Sequence, residues 1–445
     1  MSNLMVRSRA PKYRELVQRS WSISWPMVLI MGFEFLISLT DVYIAGLLGK
    51  EYQAAVGFST QMYFIFIVIA NALTVGTVAT VARIYSGSTR EELSSSVFTI
   101  LVAVAVSGLL LGVFGFTMSG PIVSMLNIPD LVKRNAIPLI EIYAAGAVFH
   151  YFLINSNGIL RATGGIRRSL VTMGVVCVAN VGLNVLFVFY TPLGFRGIAL
   201  STVGGLAVGA CINWHHLRPL AGVSRIFRRE FLRKVAAIGW PSGLQQVSWQ
   251  VGSTVMFLIL SALPFHRIEV IAAFTNGLRI ESAIFLPAFA LNMANAVVTG
   301  NLLGEGRKEE AFRAGMVTAG LGVLLITALT AVVVLNAELL ASFLSHDRIV
   351  VHECVRYIYI SMISEPFMAW AVILGGALNG AGDTRGVMII IILSFWIVRI
   401  PAAFLFGVSL HFGPPAMWWA MNASIFVHAI FLSRRYFRRK WLELQ

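Results

Sequence analysis

Five stretches of this 445-residue chain, 52–82, 93–129, 235–265, 314–337 and 400–433, run for more than twenty residues without a single Asp, Glu, Lys or Arg. A helix needs about 20 apolar residues to cross the hydrocarbon of a bilayer, so each run is a span or more than a span. Lipid offers no partner to backbone N–H and C=O groups, which leaves helices and closed barrels as the only structures that cross it. The runs are solidly apolar and lack the alternation of a barrel strand, so helices are expected. Composition agrees: 12% of residues are charged, about half the fraction of a soluble domain.

The same composition excludes other classes. A net charge of +14 would suit a nucleic-acid binder, but the arginines stand at span ends and form no patch with interleaved aromatics. Cys177, Cys211 and Cys354 are far apart in the sequence and support neither a disulfide framework nor a metal site. The first apolar run lies behind about twenty polar and basic residues and is too long for a cleavable signal peptide.

Counting spans gives about twelve, near 22–48, 54–83, 94–118, 136–160, 169–190, 196–216, 235–262, 269–302, 313–336, 353–379, 387–408 and 415–434. With the N-terminus inside, one set of connectors collects Arg83, Arg90, Arg161, Arg167, Arg168, Arg307, Lys308, Arg313 and Arg385. The other set holds little beyond Lys50, Lys133, Arg134, Arg196, Arg267 and Arg348. This bias puts both termini in the cytoplasm, with the protein a multi-pass component of the plasma or inner membrane. The expected division is a tail at 1–20 with Arg7, Arg9 and Lys12, a six-helix lobe at 21–216, a basic linker at 217–233, a second six-helix lobe at 234–434, and a basic tail at 435–445.

An internal repeat supports two lobes. "LRATGGIRR" at 160–168 matches "LNGAGDTRG" at 378–386, "WPM" at 25–27 matches "WPS" at 240–242, and "REEL" at 90–93 matches "KEEA" at 308–311. All three pairs share an offset of about 215–218 residues in the same order. Six spans per half is an even number, so both halves enter the membrane in the same direction, related by an axis along its normal. The expected fold is an all-α membrane protein of two pseudo-symmetric six-helix lobes, with a cleft between them suited to alternating access.

Charges inside spans are costly and therefore informative. Glu34 and Asp41 lie seven residues apart in the first span, two turns along one helical face. An aspartate at mid-membrane costs about 2.5–3.5 kcal/mol on an insertion scale and normally faces a bundle interior or a wet cavity. Burial disfavours the charged form of a carboxylate and an incoming organic cation favours it, so such a group can exchange a proton for a substrate. Asn180 and Asn184 are spaced to share a face and can donate to Asp41; bridging between helices is the competing role. Thr202 is a weaker candidate for the same network and reads first as interior packing.

In the second half Arg279, Glu281, Glu365 and Arg399 are the intramembrane charges, and pairing of Glu281 or Glu365 with Arg399 or Arg279 as structural locks is expected ahead of ion binding. His150 and His428 read as satisfied core histidines rather than proton relays. The glycines at 375–382 suit close helix packing and a C-terminal cap, and no nucleotide-binding lysine accompanies them. The expected energy source is thus an ion gradient, H+ or Na+, with no cofactor, resident metal or nucleic-acid partner. No nucleophile–base pair is evident on facing spans, so no enzyme is expected.

The ordered set of motifs resembles the multidrug and toxic compound extrusion (MATE) transporters. It comprises Pro26 and Pro241, "TDVYIAGLLG" at 40–49, "AAVGFS" at 54–59, "NVGLN" at 180–184, "RIES" at 279–282, "GNLLGEGRKEEA" at 300–311, "EPFM" at 365–368, "GALNGAGDTR" at 376–385 and "RIP" at 399–401. The resemblance covers nearly the whole chain. It implies a twelve-helix, two-lobed antiporter that expels bulky, often cationic, organic compounds in exchange for protons or sodium ions; a monomer is expected. Asp41 matches the family's acidic residue on the first helix, where it couples to the ion (Na+ being one option there) and responds to substrate. Asn180 matches a family asparagine on the fifth helix. Asn184 stands where some members have aspartate, and the seventh helix offers Gln245, Gln246 and Gln250 where sodium-coupled members have an acidic residue. Both departures favour proton coupling, and Glu34 stands where a neutral residue is expected. The alternative is a flippase for a lipid-linked sugar or similar lipid, which needs basic residues in the cavity; Arg279 and Arg399 are the candidates.

Overall fold

The structure is a computed structural model describing residues 13–126, 129–264 and 266–443. Arg7, Arg9 and Lys12 of the expected tail lie outside these residues.

The described first half comprises α1 (Tyr13–Leu48), α2 (Lys50–Gly87), α3 (Arg90–Met125), α4 (Asp130–Ala145), α5 (Ala147–Ala162), α6 (Ile166–Phe189) and α7 (Arg196–Ala221). The second comprises α8 (Arg229–Ser261), α9 (Arg267–Gly304), α10 (Lys308–Leu335), the short α11 (Ala337–Leu344), α12 (Arg348–Ser361), α13 (Glu365–Gly380), α14 (Thr384–Ser409) and α15 (Pro414–Phe437). Among the described residues nine single helices are long and apolar enough to cross a membrane. Two further pairs, α4 with α5 and α12 with α13, qualify as spans bent by 51° and 56°. α8 is 33 residues long, but Gln245, Gln246 and Gln250 dilute its apolar character. These crossings make up the two-lobed all-helical fold.

Local chemistry explains the bends. Gly146 separates α4 from α5, and a Cβ there would lie 2.4 Å from a methyl of Val203, so the chain turns where only glycine fits. Pro366 occupies the first turn of α13, where its missing N–H is harmless. Pro26 and Pro241 lie inside α1 and α8, matching the repeat. In α14, π-helical turns at Ser394–Arg399 and Ala403–Ser409 flank Pro401, which cannot donate to the preceding turn.

α1 begins at Tyr13, so the described part of the N-terminal stretch is the opening of the first helix. The non-helical connector between halves is shorter than the basic linker read from sequence, because α7 runs to Ala221 and α8 starts at Arg229. Beyond α15 the chain tucks back, with Trp441 buried and its Nε1 donating to the Tyr436 carbonyl at 2.8 Å.

Each lobe has its own core. Met256, Leu291, Ile373 and Trp418 belong to one cluster of the second lobe; Ile44, Val56, Leu139 and Ile198 belong to the first. The lobes meet along a seam of α1 and α2 against α8, α9 and α10. Glycine makes it close: a Cβ on Gly76 would lie 2.1 Å from the Val235 carbonyl oxygen, and one on Gly239 2.4 Å from that of Ala72. Further along, a Cβ on Gly87 would lie 2.4 Å from the Gly304 oxygen, and one on Gly304 2.4 Å from the Arg83 oxygen. Backbones approach this closely only where both faces lack side chains. Ser20 and Thr318, both fully buried, hydrogen-bond across the seam at 2.8 Å, and Arg19 of α1 pairs with Glu305 just past α9 at 2.8 Å.

Candidate ion-coupling site

Asp41 lies on a stripe of α1 with Met27, Ile30 and Ala45, all of them buried. The stripe faces α6 and α7 rather than lipid. Asn184 Nδ2 donates to Asp41 Oδ1 at 2.7 Å, and Thr202 Oγ1 donates to Oδ2 at 2.8 Å. Asn180 closes the ring: its Nδ2 donates to Thr202 Oγ1 at 3.2 Å and its Oδ1 accepts from Asn184 Nδ2 at 3.3 Å. Tyr143 of α4 stands behind Thr202 and Thr60 and feels the Asp41 charge. Asn180 and Asn184 lie one turn apart on α6 as their spacing requires, and Thr202 is a direct ligand of the carboxylate rather than mere packing. Hydrogen bonds to a charged group stabilise by about 1.5–3 kcal/mol each, which offsets much of the cost of enclosing Asp41. One acceptor is left over, because Asn184 Oδ1 is buried without a donor.

Glu34 differs from Asp41. It is exposed, and Arg161 at the end of α5 is the charge that acts on it. Arg161, counted from the sequence among the loop charges, is 5% exposed and buried inside the lobe, its Nη1 lying 3.5 Å from Met27 Sδ. The span read from sequence ended at 160, one residue short of Arg161, whereas α5 runs on to Ala162.

The second-lobe charges do gather, but not as ion pairs. Glu365, fully buried at the start of α13, has no hydrogen-bond donor on either oxygen by geometry; the Glu281 carboxyl of α9 is the group beside it. Tyr357 of α12 donates to Glu281 Oε2 at 2.6 Å. Arg399 makes no salt bridge to either carboxylate. Its Nε donates to Ser424 Oγ at 2.9 Å and its guanidinium lies 4.3 Å from the Phe395 ring centroid and 5.5 Å from that of Trp249. Arg279 is exposed and reaches neither glutamate. No ion pair closes the expected lock; the guanidinium of Arg399 makes its close contacts with an aromatic face and a hydroxyl, while its charge still acts on Glu281 and Glu365. Of the two basic residues named for the flippase alternative, Arg279 is exposed and Arg399 is buried.

Sequence reasoning missed Tyr63 and Tyr143, whose rings stack at 5.2 Å, with the Tyr63 hydroxyl 3.0 Å from His150 Nδ1. Aromatic residues are too common in membrane spans to single these out. His150 has that partner, whereas His428 Nε2 is buried without one. Glu141, facing Ser119 at 3.5 Å, was also passed over. Among the described residues no cluster of His, Cys, Asp and Glu has the makings of a metal site.

Two helical lobes of matching design, joined along a glycine seam and each holding enclosed carboxyl groups, define a polytopic membrane transporter. The model of the MatE family matches residues 26–186 and 241–405, two segments beginning on Pro26 and Pro241 and reproducing the internal repeat. The chain belongs to the MatE family, whose members are transporters and not enzymes. It is 22% identical over 437 residues to the "Uncharacterized transporter YisQ" of Bacillus subtilis, covering 95% of this chain and 94% of that protein. It is 23% identical to the "Probable multidrug resistance protein NorM" of Thermotoga maritima, covering 99% and 95%. Among solved structures, the MATE transporter VcmN of Vibrio cholerae in its bent form superposes with a TM-score of 0.89 at 19% identity, covering 96% of this chain and 97% of that one.

Proposed function

We propose that the protein is a secondary antiporter that exports organic, often cationic, compounds in exchange for protons, with Asp41 as the coupling carboxylate. The observation that carries this is the ring of Asn180, Asn184 and Thr202 closed on a buried Asp41. An ionised Asp41 accepts from Asn184 and Thr202. On protonation it becomes a donor, and the unpartnered Asn184 Oδ1 is the acceptor that a turn of the amide would present. The ring thus has two hydrogen-bonding arrangements, one per protonation state, which is what coupling to a conformational change requires. This favours protons over sodium, since a sodium ion needs several oxygens aimed at it and the ring aims donors at Asp41. Glu281, Glu365 and Arg399 form a separate second-lobe cluster that can hold a further proton or cation.

The bias of arginines toward one set of connectors puts both termini in the cytoplasm of the plasma or inner membrane. The membrane potential then supplies about 2.3 kcal/mol per charge per 100 mV to the cycle. The relative named a multidrug resistance protein supports organic substrates. The cycle needs no cofactor, and its partners are the substrate and the bilayer around a monomer.

The test is transport in proteoliposomes under a pH gradient and, separately, a sodium gradient. Uphill movement of a cationic dye driven by the pH gradient, and lost in Asp41→Asn, is the expected result. Equal transport by Asp41→Asn, or transport under the sodium gradient alone, refutes the mechanism.

A further inference from the structure

Trp249 stands on the wrong side of α8 for an exposed ring. The outer side of that helix is marked by exposed Trp240, Leu244, Val247, Val251 and Leu258, which fall on one stripe at helical spacing. Trp249 lies about 200° round the helix from Val247, on the opposite side. Ser242, Met256 and Leu260, seven or eleven residues along, share its face and are buried. Trp249 is nonetheless 44% exposed, while Gln245, Ser248, Gly252 and Ser253 around it are buried or half-buried. Its ring is bracketed by Phe285 of α9, with centroids 6.4 Å apart, and by Phe395 of α14 at 5.4 Å. The space it opens onto is therefore a recess inside the second lobe, bounded by three helices. Gln246 accepts from Asn71 of α2 at 3.5 Å, which sets this recess against the seam with the first lobe.

The recess is walled by rings. Phe289, also exposed, continues the row at 6.0 Å from Phe285, and the planes of Trp249 and Phe289 lie within 29° and 19° of that of Phe285. On the other side Phe395 is buried against Gly252, where a Cβ would run into its ring. The Arg399 guanidinium packs over Phe395 and Trp249 and is itself tied to Ser424. The rings are thus held in place in advance, and a ligand that stacks on them pays little for ordering them. We propose that Trp249, with Phe285 and Phe289, forms a second-lobe subsite that takes the flat, fused-ring part of an organic compound by stacking. This rests on the antiport reading above and names the shape of substrate that the second lobe selects. Stacking depends on the planarity of the ligand rather than its charge. With Arg399 already beside it, Trp249 is a poor seat for a second cation, so the positive group of a ligand points away from the row.

Equilibrium binding to the purified protein tests this with two monocations of opposite shape: ethidium, whose fused rings are flat, and tetraphenylphosphonium, whose rings cannot share a plane. Trp249→Leu weakens ethidium binding about tenfold, the effect of one lost stacking partner, and leaves tetraphenylphosphonium within about twofold. Trp249→Phe, which keeps a ring, restores most of the ethidium affinity. Trp240→Leu, on the outer stripe of the same helix, changes neither. Unchanged ethidium binding in Trp249→Leu, equal loss of both ligands, or no recovery in Trp249→Phe overturns the assignment. Any of these, beside intact pH-driven transport by the parent protein, removes the subsite and leaves the antiport reading in place. Ethidium binding that depends on Trp249, in a parent protein that moves none of it against an imposed gradient, would sink the antiport reading and leave the subsite standing.

Discussion

Replacing Gly304 by alanine tests whether the glycine seam is the closed gate of the transporter. The added Cβ would lie 2.4 Å from the Arg83 carbonyl oxygen and 3.0 Å from its Cα. Comfortable contact between such atoms begins at about 3.5 Å, so α2 and α9 must part by roughly 1 Å at this end. Both neighbours are backbone and cannot turn aside, and overpacking of this kind costs about 1–3 kcal/mol. The helix propensity gained by Gly→Ala is common to both states and cancels. The strain is confined to the seam between lobes, so it penalises the closed arrangement while leaving each lobe's core intact. A penalty of about 1–3 kcal/mol shifts a two-state equilibrium about 5–150-fold toward opening at this face. Ser20, fully buried at the same seam, serves as reporter when changed to cysteine in a chain lacking Cys177, Cys211 and Cys354. Its labelling by N-ethylmaleimide should accelerate by that factor in Gly304→Ala. Gly320→Ala is the control, because a Cβ there meets nothing within 4 Å, and it should label as the parent does. Unchanged labelling in Gly304→Ala, or loss of lobe stability with no change in accessibility, would refute the gate.

Three other perturbations have defined outcomes. Thr202→Val keeps the shape but removes the donor to Asp41 Oδ2; gradient-driven transport should fall about tenfold, the effect of one charge-assisted bond, with ethidium affinity retained, as measured by the dye assays above. Asp383, just past α13, accepts from Arg435 Nε and Nη2, both at 2.6 Å; Asp383→Asn should lower stability by about 1–2 kcal/mol, less than for a fully buried pair because Arg435 is partly exposed, read by thermal unfolding in detergent. At Glu305 partial burial opposes the charged form, but hydrogen bonds and attraction from Arg19 and Arg307 outweigh it and hold the carboxyl below its ordinary value of 4.5. A depressed carboxyl contributes at pH above its ordinary value and loses that contribution as pH falls through the depressed one. Closure at the Arg19–Glu305 face should therefore be steady near neutrality and loosen below about pH 4.5. Interlobe distances between spin labels should report this, and Arg19→Gln should abolish the pH response.

Several features were legible in the chain because they follow from short-range rules. Uncharged runs longer than a bilayer is thick leave only helices. The offset shared by Pro26 and Pro241, and by the two glycine-arginine loops, reports two lobes without any coordinates. Asp41 announced itself because a carboxylate within such a run must be compensated, and the spacing of Asn180 and Asn184 put both amides on one face of α6. Thr202 was underrated, since a threonine in a span more often bonds its own helix, and it does also approach the Ile198 carbonyl at 3.1 Å.

The sequence by itself determined the class of fold, the two-lobe plan and the charged residues that need an interior, because hydrophobicity and helical period are properties of neighbouring residues. Only the tertiary structure decided which of those charges are closed in and which stand open. Glu34 and Asp41 share a helix face yet differ in exposure because α6 and α7 close over one of them. Arg399 turned to Phe395 and Ser424 instead of a glutamate, and Arg161 went inside rather than into a loop. Such outcomes depend on what the facing helix presents at that depth, and for Asp41 and Arg161 residues more than a hundred positions away supply it.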